Sequence, residues 1–387
     1  MGVASGRFVS DASMYDVYEV GGKIGHGTFG AVYACWLRDA EEEHREELAV
    51  KIVDLQSSAA IAAEAHQSAY DELVILRRIK HPNIVELKDI FEEKNFLYVV
   101  MERLLGGELF QVFCDKNSVV LESDIARVGL QVLRALQYLH GTGIVHRDVK
   151  PQNVLLASPS PQHARTLESA EIKLIDFGLA HKFETGCVCG AEPQMNLVCG
   201  TPAMCAPEIW ALQDTDKAQA WKRLYGESYG PKVDVWATGV VLYMALLGRH
   251  PFAEREVCKL MTKVCDPKGL PNYQAKNAAY QVTAGCKRFL AGLLEKSQRL
   301  RPTASAALKD SWLTSCLGRR GSCRTRSLNL TPVPFEVRLD ALGEATAAVA
   351  QKWPSEEDLE ALPELSGSEY EDDGDWSDAE GLWWGCG

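Results

Sequence analysis

The sequence predicts an α+β protein with two lobes, a small antiparallel sheet with one helix followed by a larger, mainly helical part. Three observations predict this fold. Short β-rich runs separated by glycines or charged residues extend from Tyr18 to Val53, a single helical pattern follows them, and helical patterns dominate after the Gly106-Gly107 break. With 387 residues, 46% of them hydrophobic, the chain is long enough to bury substantial cores.

The elements of the small lobe come first along the chain. Residues 1–14 are small and polar and predict a short flexible arm. After the β-rich runs, the helical pattern of Ala59–Lys80 ends at His81-Pro82-Asn83, because proline stops a helix. Two further strands are predicted at Ile84–Leu87 and Phe96–Met101. The first β-rich runs cover Val17–Ile24, Ala31–Ala34 and Leu48–Val53.

Helical periodicity defines the large lobe, with two polar segments, Ser158–Ser169 and Ala211–Ser228, that look like surface insertions. The predicted helices are Glu122–His140, Val233–Leu247, Cys286–Leu294 and Thr303–Leu313. The resulting division of the chain is an arm at 1–14, a small lobe at 15–103, a large lobe at 104–317, a basic linker at 318–350 and an acidic tail at 351–387.

Negative charge is concentrated at the C-terminus. The chain carries a formal charge of −12, and residues 351–387 hold twelve Asp or Glu against one Lys, a net −11. The remainder is nearly neutral, so its charge does not indicate nucleic acid as a partner. Segment 351–387 cannot bury enough apolar surface to fold alone, and we expect it to be disordered. Its four tryptophans among carboxylates suggest a docking motif for a basic groove, on a partner or on the same chain.

The twelve cysteines do not indicate a secreted, disulfide-bonded protein, because no charged leader with an apolar segment and a cleavage site opens the chain. We therefore expect reduced thiols and a cytoplasmic location, with the nucleus as the other compartment. The longest strongly apolar stretch, Val235–Leu247, is too short to cross a bilayer and predicts a buried helix instead.

A glycine-rich run lies between the first two predicted strands. Gly25, Gly27 and Gly30 have the spacing Gly-x-Gly-x-x-Gly, and glycines let backbone amides approach phosphate oxygens without obstruction. A dinucleotide-binding loop of this spacing opens a helix, so a run between strands favours a flap over the phosphates of a nucleotide. Lys51 in the next strand and Glu72 in the following helix form a candidate pair, because a buried cation near phosphates needs an anion to hold its position.

The most specific motif runs from His146 to Asn153 and reads His-Arg-Asp-Val-Lys-Pro-Gln-Asn. Its Asp148 carboxylate can accept a proton from a hydroxyl, its Asn153 amide oxygen can bind a metal, and its Lys150 ammonium can offset charge on a moving phosphoryl group. Asp176, in Asp-Phe-Gly after an apolar run, supplies a second carboxylate suited to bridging magnesium and phosphates. Together these motifs predict phosphoryl transfer.

The motifs resemble the signature set of the eukaryotic protein kinases over a span from about Tyr18 to Leu313. The resemblance implies a two-lobed kinase fold, ATP and magnesium as cofactors, and protein substrates. The implied catalytic residues are Asp148 as base, Lys150 on the γ-phosphate, and Lys51 on the α- and β-phosphates paired with Glu72.

The resemblance also implies an ATP site between the lobes. Met101 would be the gatekeeper, Glu102 and Arg103 would face adenine from the hinge, and Glu108 would contact the ribose. The implied ATP-binding residues are Ile24, Gly25, Gly27, Gly30, Val32, Ala49, Lys51, Met101, Glu102, Arg103, Glu108, Asn153, Leu155 and Asp176, of which Asn153 and Asp176 would hold two magnesium ions.

Several further matches are structural. Glu208 in Ala-Pro-Glu is expected to pair with Arg301, and Asp234 is expected to anchor the catalytic loop from a buried helix. The hydrophobic spine of the family falls on Leu76, Leu87, His146 and Phe177.

The pair Lys150-Pro151 and the run Gly200-Thr201-Pro202 are similar to serine/threonine rather than tyrosine kinases. Within that class, three segments look most like the calcium/calmodulin-dependent group: 106–110, 198–202 and 229–236. Two of the departures from the family pattern lie between Asp176 and Glu208. Leu197 occupies the usual activation phosphosite and has no hydroxyl, so we hypothesise that no phosphate is needed there. Met204 replaces a tyrosine that shapes the substrate pocket, and methionine is more pliable.

Other readings of the chain stay open. The alternative function is a pseudokinase scaffold acting through ATP or partner binding, although no group required for phosphoryl transfer is missing. A small-molecule kinase is disfavoured by Lys150 and the complete Ala-Pro-Glu segment. The basic segment 319–327 is interpreted as a linker with incidental phosphorylation, because Gly318 and Gly321 interrupt the helix that calmodulin would need. Calmodulin is therefore not expected as a partner.

Overall fold

The structure is a computed structural model. The predicted arm up to residue 12, most of the basic linker and the whole acidic tail lie outside the described residues. The segments described are 13–27, 30–41, 45–55, 72–93, 95–114, 121–158, 170–183, 195–213, 216–252, 254, 256–273 and 282–318.

The small lobe is built on one five-stranded antiparallel sheet with the order β1-β2-β3-β5-β4. The central strand β3 is buried along most of its length, which fits its nearly continuous apolar run. This arrangement confirms the predicted antiparallel sheet. The strands are β1 (Tyr18–Gly27), β2 (Gly30–Leu37), β3 (Leu48–Asp54), β4 (Leu87–Glu93) and β5 (Phe96–Glu102).

The start of the described chain packs on this sheet. A short helix α1 (Met14–Val17) precedes β1, and the Met14 side chain is buried in the same cluster as Tyr18 and Phe91. The carboxylate of Glu93 accepts hydrogen bonds from the Ser13 hydroxyl, at 3.0 Å, and from the backbone N–H of Met14. Met14, which the sequence assigned to the flexible arm, is therefore part of the small-lobe core.

Two predicted boundaries in the small lobe are wrong. The helix α2 is described over residues 72–76 and then gives way to a turn, so it ends before the predicted Lys80. The predicted strand Ile84–Leu87 is not a strand of the sheet. Ile84 instead forms an isolated parallel bridge with Leu174 of the large lobe, and β4 begins at Leu87.

Helices make up most of the large lobe. Its centre is formed by α4 (Glu122–Gly141) and α7 (Lys232–Leu247), which pack together, and α7 is buried on almost every side. The other helices are α3 (Leu109–Cys114), α5 (Pro207–Trp210), α6 (Asp216–Tyr225), α8 (Val257–Cys265), α9 (Ala284–Leu293), α10 (Ala304–Ala307) and α11 (Ser311–Gly318).

Two predictions for the large lobe need correction. The segment Thr303–Leu313 is two helices, because the Asp310 carboxylate accepts the backbone N–H of Trp312 at 2.8 Å and starts α11 after a break. The supposed insertion Ala211–Ser228 contains helix α6, which buries Trp221 and Tyr225 on one face. These two aromatic positions are i and i+4, the spacing of one helix face.

Two short antiparallel strand pairs position the motif segments. Strand β6 (Ile144–Val145) pairs with β9 (His181–Lys182), and β7 (Val154–Leu156) pairs with β8 (Ile172–Leu174). The loop from β6 to β7 and the loop from β8 to β9 therefore lie side by side, next to the small lobe. The fold is the predicted α+β arrangement of a small sheet lobe and a mainly helical lobe. No helix within the described segments has the length and apolar character to cross a membrane.

Candidate active site

Lys51 and Glu72 form a buried ion pair in the small lobe. Lys51 lies on the central strand β3, and its Nζ is 2.7 Å from Oε2 of Glu72 in α2. Burial alone would lower the pKa of Lys51, but the negative charges of Glu72 and Asp176 outweigh burial and raise it. The structure thus places an ammonium group that is held by Glu72 opposite Val32 of β2, and the predicted pairing is confirmed.

The glycine run occupies the end of the β1–β2 hairpin. Gly25 pairs with Val32 and Gly27 pairs with Gly30, while the two residues between the strands lie outside the described parts of the chain. A Cβ at Gly30 would collide with the carbonyl oxygen of Ile52 in β3, so this glycine is required for strand packing. A Cβ at Gly25 would meet no other atom within 4 Å, so its face of the hairpin is open.

The loop after β6 carries Asp148, and its carboxylate has three partners. Oδ2 lies 2.9 Å from Nζ of Lys150 and accepts Nδ2 of Asn153 at 3.2 Å, and Oδ1 accepts the Thr201 hydroxyl at 2.7 Å. The same Asn153 amide nitrogen donates to the backbone carbonyl of Asp148 at 2.9 Å. Because Asn153 uses its nitrogen for both bonds, its amide oxygen is the group left for a cation.

A buried carboxylate fixes the shape of this loop. Asp234 of α7 accepts the backbone N–H groups of His146, at 2.9 Å, and Arg147, at 2.8 Å, and contacts Nε2 of His140 at 2.8 Å. Burial would raise the pKa of Asp234, but the bond from His140 and the positive charges nearby lower it. Arg147 has a φ of 65°, a left-handed conformation that these bonds stabilise. The predicted anchoring of the loop by Asp234 is confirmed.

Asp176 lies where β8 ends, facing both lysines. Its φ is 61°, and the backbone N–H of Gly178 donates to its Oδ1 at 3.4 Å. Burial would raise the pKa of Asp176, but the charges of Lys51 and Lys150 lower it, so the carboxylate stays ionised. The backbone carbonyl of Asn153 accepts the N–H of Ile175 at 3.0 Å, which ties the two motif loops together.

The adenine-site residues predicted from the family lie on strands of the small-lobe sheet, on the hinge after β5 and on β7 of the large lobe. In the strand register Val32 is opposite Lys51, Ala49 is opposite Met101, and Leu155 forms a bridge with Glu108. Burial raises the pKa of Glu108. Ile24 is half-buried in β1.

The two hinge side chains are engaged in structural contacts. The Glu102 carboxylate accepts the backbone N–H of Glu86 at 2.7 Å and pairs with Lys173 at 2.8 Å. Arg103 lies 3.4 Å from the Glu47 carboxylate. Any contact of these hinge residues with adenine would therefore use their backbone.

The predicted structural matches are also present. The guanidinium group of Arg301 binds both carboxylate oxygens of Glu208, at 2.6 and 3.0 Å, and neither side chain reaches solvent. The rings of His146 and Phe177 lie 4.8 Å apart, and Phe177 belongs to the large core with Leu76 and the partly buried Leu87.

Sequence reasoning missed several residues that position this site. Thr201 bonds directly to Asp148, and Tyr229 bonds to the segment before Thr201. His250 contacts the carbonyl oxygen of Ala203 through Nε2 at 2.8 Å. The motif Gly200-Thr201-Pro202 could have indicated that Thr201 belongs to the site. The long-range contacts of Tyr229 and His250 have no local sequence pattern.

The fold and the motif residues at this site define the class of two-lobed protein kinases. A sequence model of the family described as "Protein kinase domain" matches residues 18–313, and the chain belongs to that family. This match agrees with the span predicted from the motifs.

Individual relatives place the chain near the calcium/calmodulin-dependent kinases. It is 31% identical over 310 residues to human "Calcium/calmodulin-dependent protein kinase type IV", covering 78% of this chain and 55% of the relative. It is 34% identical over 299 residues to the rat type 1B kinase, covering 77% and 75%. A probable myosin light chain kinase of Dictyostelium discoideum is 32% identical over 297 residues, covering 76% and 83%. The match thus spans little more than half of the type IV protein.

Proposed function

We propose that the chain is an active serine/threonine protein kinase that transfers the γ-phosphoryl group of ATP to hydroxyl groups of protein substrates. One observation carries the proposal. Asp176 lies within the electrostatic reach of two lysines, Lys51 from the small lobe and Lys150 from the catalytic loop, and Lys150 also pairs with Asp148. The pKa of Asp176 is lowered and the pKa of Lys51 is raised, so these two groups stay charged. Phosphoryl transfer needs positive charge around the phosphates, a base for the hydroxyl and a carboxylate for the metal, and this cluster supplies each.

Asp148 is proposed as the catalytic base. Its carboxylate is fixed by Lys150, Asn153 and Thr201, so that a substrate hydroxyl can donate its proton to it. The hydroxyl oxygen then forms a bond to the γ-phosphorus while the bond to the leaving ADP oxygen breaks, and the proton ends on Asp148. Lys150, next to the base, offsets the negative charge on the group being transferred.

Asn153 and Asp176 are proposed as the magnesium ligands. An ionised carboxylate and an amide oxygen are hard donors that suit Mg²⁺. In the described segments no group of three or more His, Cys, Asp or Glu is arranged to hold a metal ion. That sparse donor set fits an ion that is shared with the phosphates of a nucleotide rather than held in an all-protein cage. When bound, magnesium would neutralise part of the phosphate charge.

The nucleotide itself is proposed to lie between the sheet and the catalytic loop. Lys51, held by Glu72, would bind the α- and β-phosphates, and the β1–β2 hairpin would cover them. The open face at Gly25 supports this placement. The adenine contacts proposed are Ile24, Val32, Ala49, Met101, Leu155 and the backbone of Glu102 and Arg103, with Glu108 on the ribose.

Partners and location follow from this activity as predictions. Proteins bearing Ser or Thr are the proposed substrates, and a cytoplasmic or nuclear location stays a prediction. The names of the type IV and type 1B relatives connect those two proteins with calmodulin. Its basic segment 319–327 carries Gly321, which disfavours the amphipathic helix that calmodulin binds.

The test is a transfer assay on the purified full chain. The protein is incubated with γ-labelled ATP, magnesium and a mixed peptide library of Ser, Thr and Tyr acceptors, with a chelator control. We expect metal-dependent labelling confined to Ser and Thr. Nucleotide binding without labelling of any acceptor would favour the pseudokinase scaffold, and labelling of Tyr would overturn the predicted specificity.

A further inference from the structure

Arg147, the neighbour of Asp148, connects the catalytic loop with the segments that follow Asp176. Its Nε donates to the backbone carbonyl of Leu179 at 2.6 Å, and its Nη1 lies 3.5 Å from the hydroxyl of Tyr229. The guanidinium group is therefore oriented by a carbonyl on one side and by a phenol on the other. Since its backbone N–H is also held, by Asp234, Arg147 is fixed at both ends.

Tyr229 holds the segment 195–199 with both its backbone and its side chain. Its backbone exchanges two hydrogen bonds with Met195, at 2.9 and 2.8 Å. Its hydroxyl donates to the carbonyl of Leu197 at 2.7 Å and lies 3.6 Å from the Cys199 sulfur. One buried tyrosine thus contacts three alternate residues of the segment.

The ionisation state of Tyr229 suits this arrangement. Burial raises the pKa of the phenol above its ordinary value, so the hydroxyl keeps its proton at neutral pH. A protonated phenol has one hydrogen to donate and lone pairs to accept. It can therefore donate to Leu197 while accepting from Arg147.

The segment 195–199 leads through Gly200 to Thr201, which contacts the catalytic base. Gly200 has a φ of 103°, and a Cβ there would come within 2.7 Å of the Arg147 carbonyl oxygen, so the chain passes very close to the catalytic loop. The next residue, Thr201, donates its hydroxyl to Asp148 at 2.7 Å. A displacement of residues 195–199 would therefore move a hydrogen-bond partner of the base.

We propose that Tyr229 is a positioning residue, whose hydroxyl holds residues 195–201 against the catalytic loop and so aligns Thr201 with Asp148. Leu197, which is 61% exposed, has no side-chain hydroxyl that could carry a phosphate for Arg147 to bind. The phenol of Tyr229 supplies the neutral contact between Arg147 and this segment instead. The inference rests on the proposed kinase activity where it is tested by kinetics. The test by hydrogen exchange does not depend on that activity.

The perturbation is Tyr229→Phe, which removes only the hydroxyl. The matched control is Tyr243→Phe, because Tyr243 is equally buried on α7 and its hydroxyl donates to a backbone carbonyl, that of Asn272, away from the site. Each full-length variant is compared with wild type for kcat and KM towards a protein substrate, for ATP affinity, for thermal unfolding, and for backbone hydrogen exchange.

For Tyr229→Phe we expect kcat/KM towards the protein substrate to fall about tenfold, the factor that loss of one buried hydrogen bond gives. ATP affinity should be unchanged, and exchange should speed up in peptides spanning 195–201. Tyr243→Phe should match wild type in kinetics and in exchange over 195–201. Phosphatase treatment of wild type should leave its activity unchanged.

Three results would overturn the inference: a Tyr229→Phe variant with wild-type kinetics, equal losses in both variants, or wild-type activity that disappears on dephosphorylation. If the wild-type protein transfers no phosphoryl group at all, the proposed function fails, and the exchange experiment alone decides the role of Tyr229. Faster exchange confined to 195–201 then supports the positioning role, and unchanged exchange refutes it.

Discussion

The buried pair of Arg301 and Glu208 allows a quantitative prediction. The Arg301 guanidinium binds both oxygens of Glu208 and also donates to the backbone carbonyls of Glu295, Lys232 and Lys296. Both charged side chains are shielded from solvent, at 0% side-chain exposure. Arg301→Ala would leave the Glu208 carboxylate buried without a counter-charge.

The expected loss follows from that burial. Removing one partner of a buried ion pair costs about 3–5 kcal/mol, because the remaining charge is desolvated and unpaired. For a domain of this size each kcal/mol lowers the melting temperature by about 2–4 °C, so we expect a fall of at least ~6 °C. Removing both partners, in Glu208→Ala with Arg301→Ala, should cost less than the sum of the single changes.

Scanning fluorimetry on the full chain measures this effect. The matched control is Lys259→Ala, which breaks an exposed pair at the start of α8 in which the side chains of Lys259 and Glu256 are 52% and 61% exposed. Exposed pairs contribute little to stability, so the control should melt within about 1 °C of wild type. Equal melting shifts for Arg301→Ala and Lys259→Ala would refute the reasoning.

Two further predictions concern the site and its pH dependence. Lys51→Met should lower kcat for peptide phosphorylation at least ~100-fold, because it removes the ammonium group that pairs with Glu72. A kcat within tenfold of the wild-type value would contradict this prediction. Burial lowers the pKa of His250 from 6.5 to about 4. Between these two pH values the folded protein binds fewer protons than the unfolded chain, so the folded state loses stability as the pH falls from 6.5 to 4. The His250→Gln side chain can still donate to the carbonyl of Ala203 but does not titrate. In denaturant titrations its free energy of unfolding should fall by ~2 kcal/mol less than that of wild type between pH 7 and pH 5. Equal falls in both proteins would contradict this prediction.

Contiguous motifs made most of the site predictable. The run from His146 to Asn153 and the Asp-Phe-Gly at Asp176 are each contiguous, so the sequence alone identifies their residues. The two loops are joined by the hydrogen bond from the Ile175 N–H to the Asn153 carbonyl, which no local spacing indicates. Lys51 and Glu72 lie 21 positions apart in the chain, and two arguments predict their pairing: a buried cation near phosphates needs an anion, and the resemblance to the family implies the same pair. The metal and nucleotide roles of these residues stay predictions.

The wrong element boundaries have physical causes. β4 is an edge strand in which charged residues such as Lys88 and Glu92 point to solvent, so its apolar signal is weak. Ile84 and Val85 form a short apolar run that periodicity cannot assign. The backbone N–H of Val85 donates to the carbonyl of Leu174 in the large lobe, and that of Ile84 donates to His81, so neither donates to a strand of the sheet. Asp310 was a usable signal for a new helix start, which the prediction of one helix over Thr303–Leu313 ignored.

The contacts of Tyr229 lie beyond local sequence reasoning. They join Tyr229 to Arg147, 82 residues earlier, and to Leu197, 32 residues earlier. A buried tyrosine carries no sign of which carbonyl its hydroxyl will meet. Only the three-dimensional arrangement of the two loops reveals this connection.

The central claim is that the Asp148 carboxylate accepts a proton during phosphoryl transfer, and Asp148→Asn tests it most directly. Asparagine keeps the shape of the side chain but cannot act as a base. We predict that wild type transfers label from γ-labelled ATP to Ser or Thr, and that Asp148→Asn still binds ATP but turns over at least ~100-fold more slowly. Turnover by the variant at a rate close to wild type, or a folded wild-type protein that binds no nucleotide, would contradict the account.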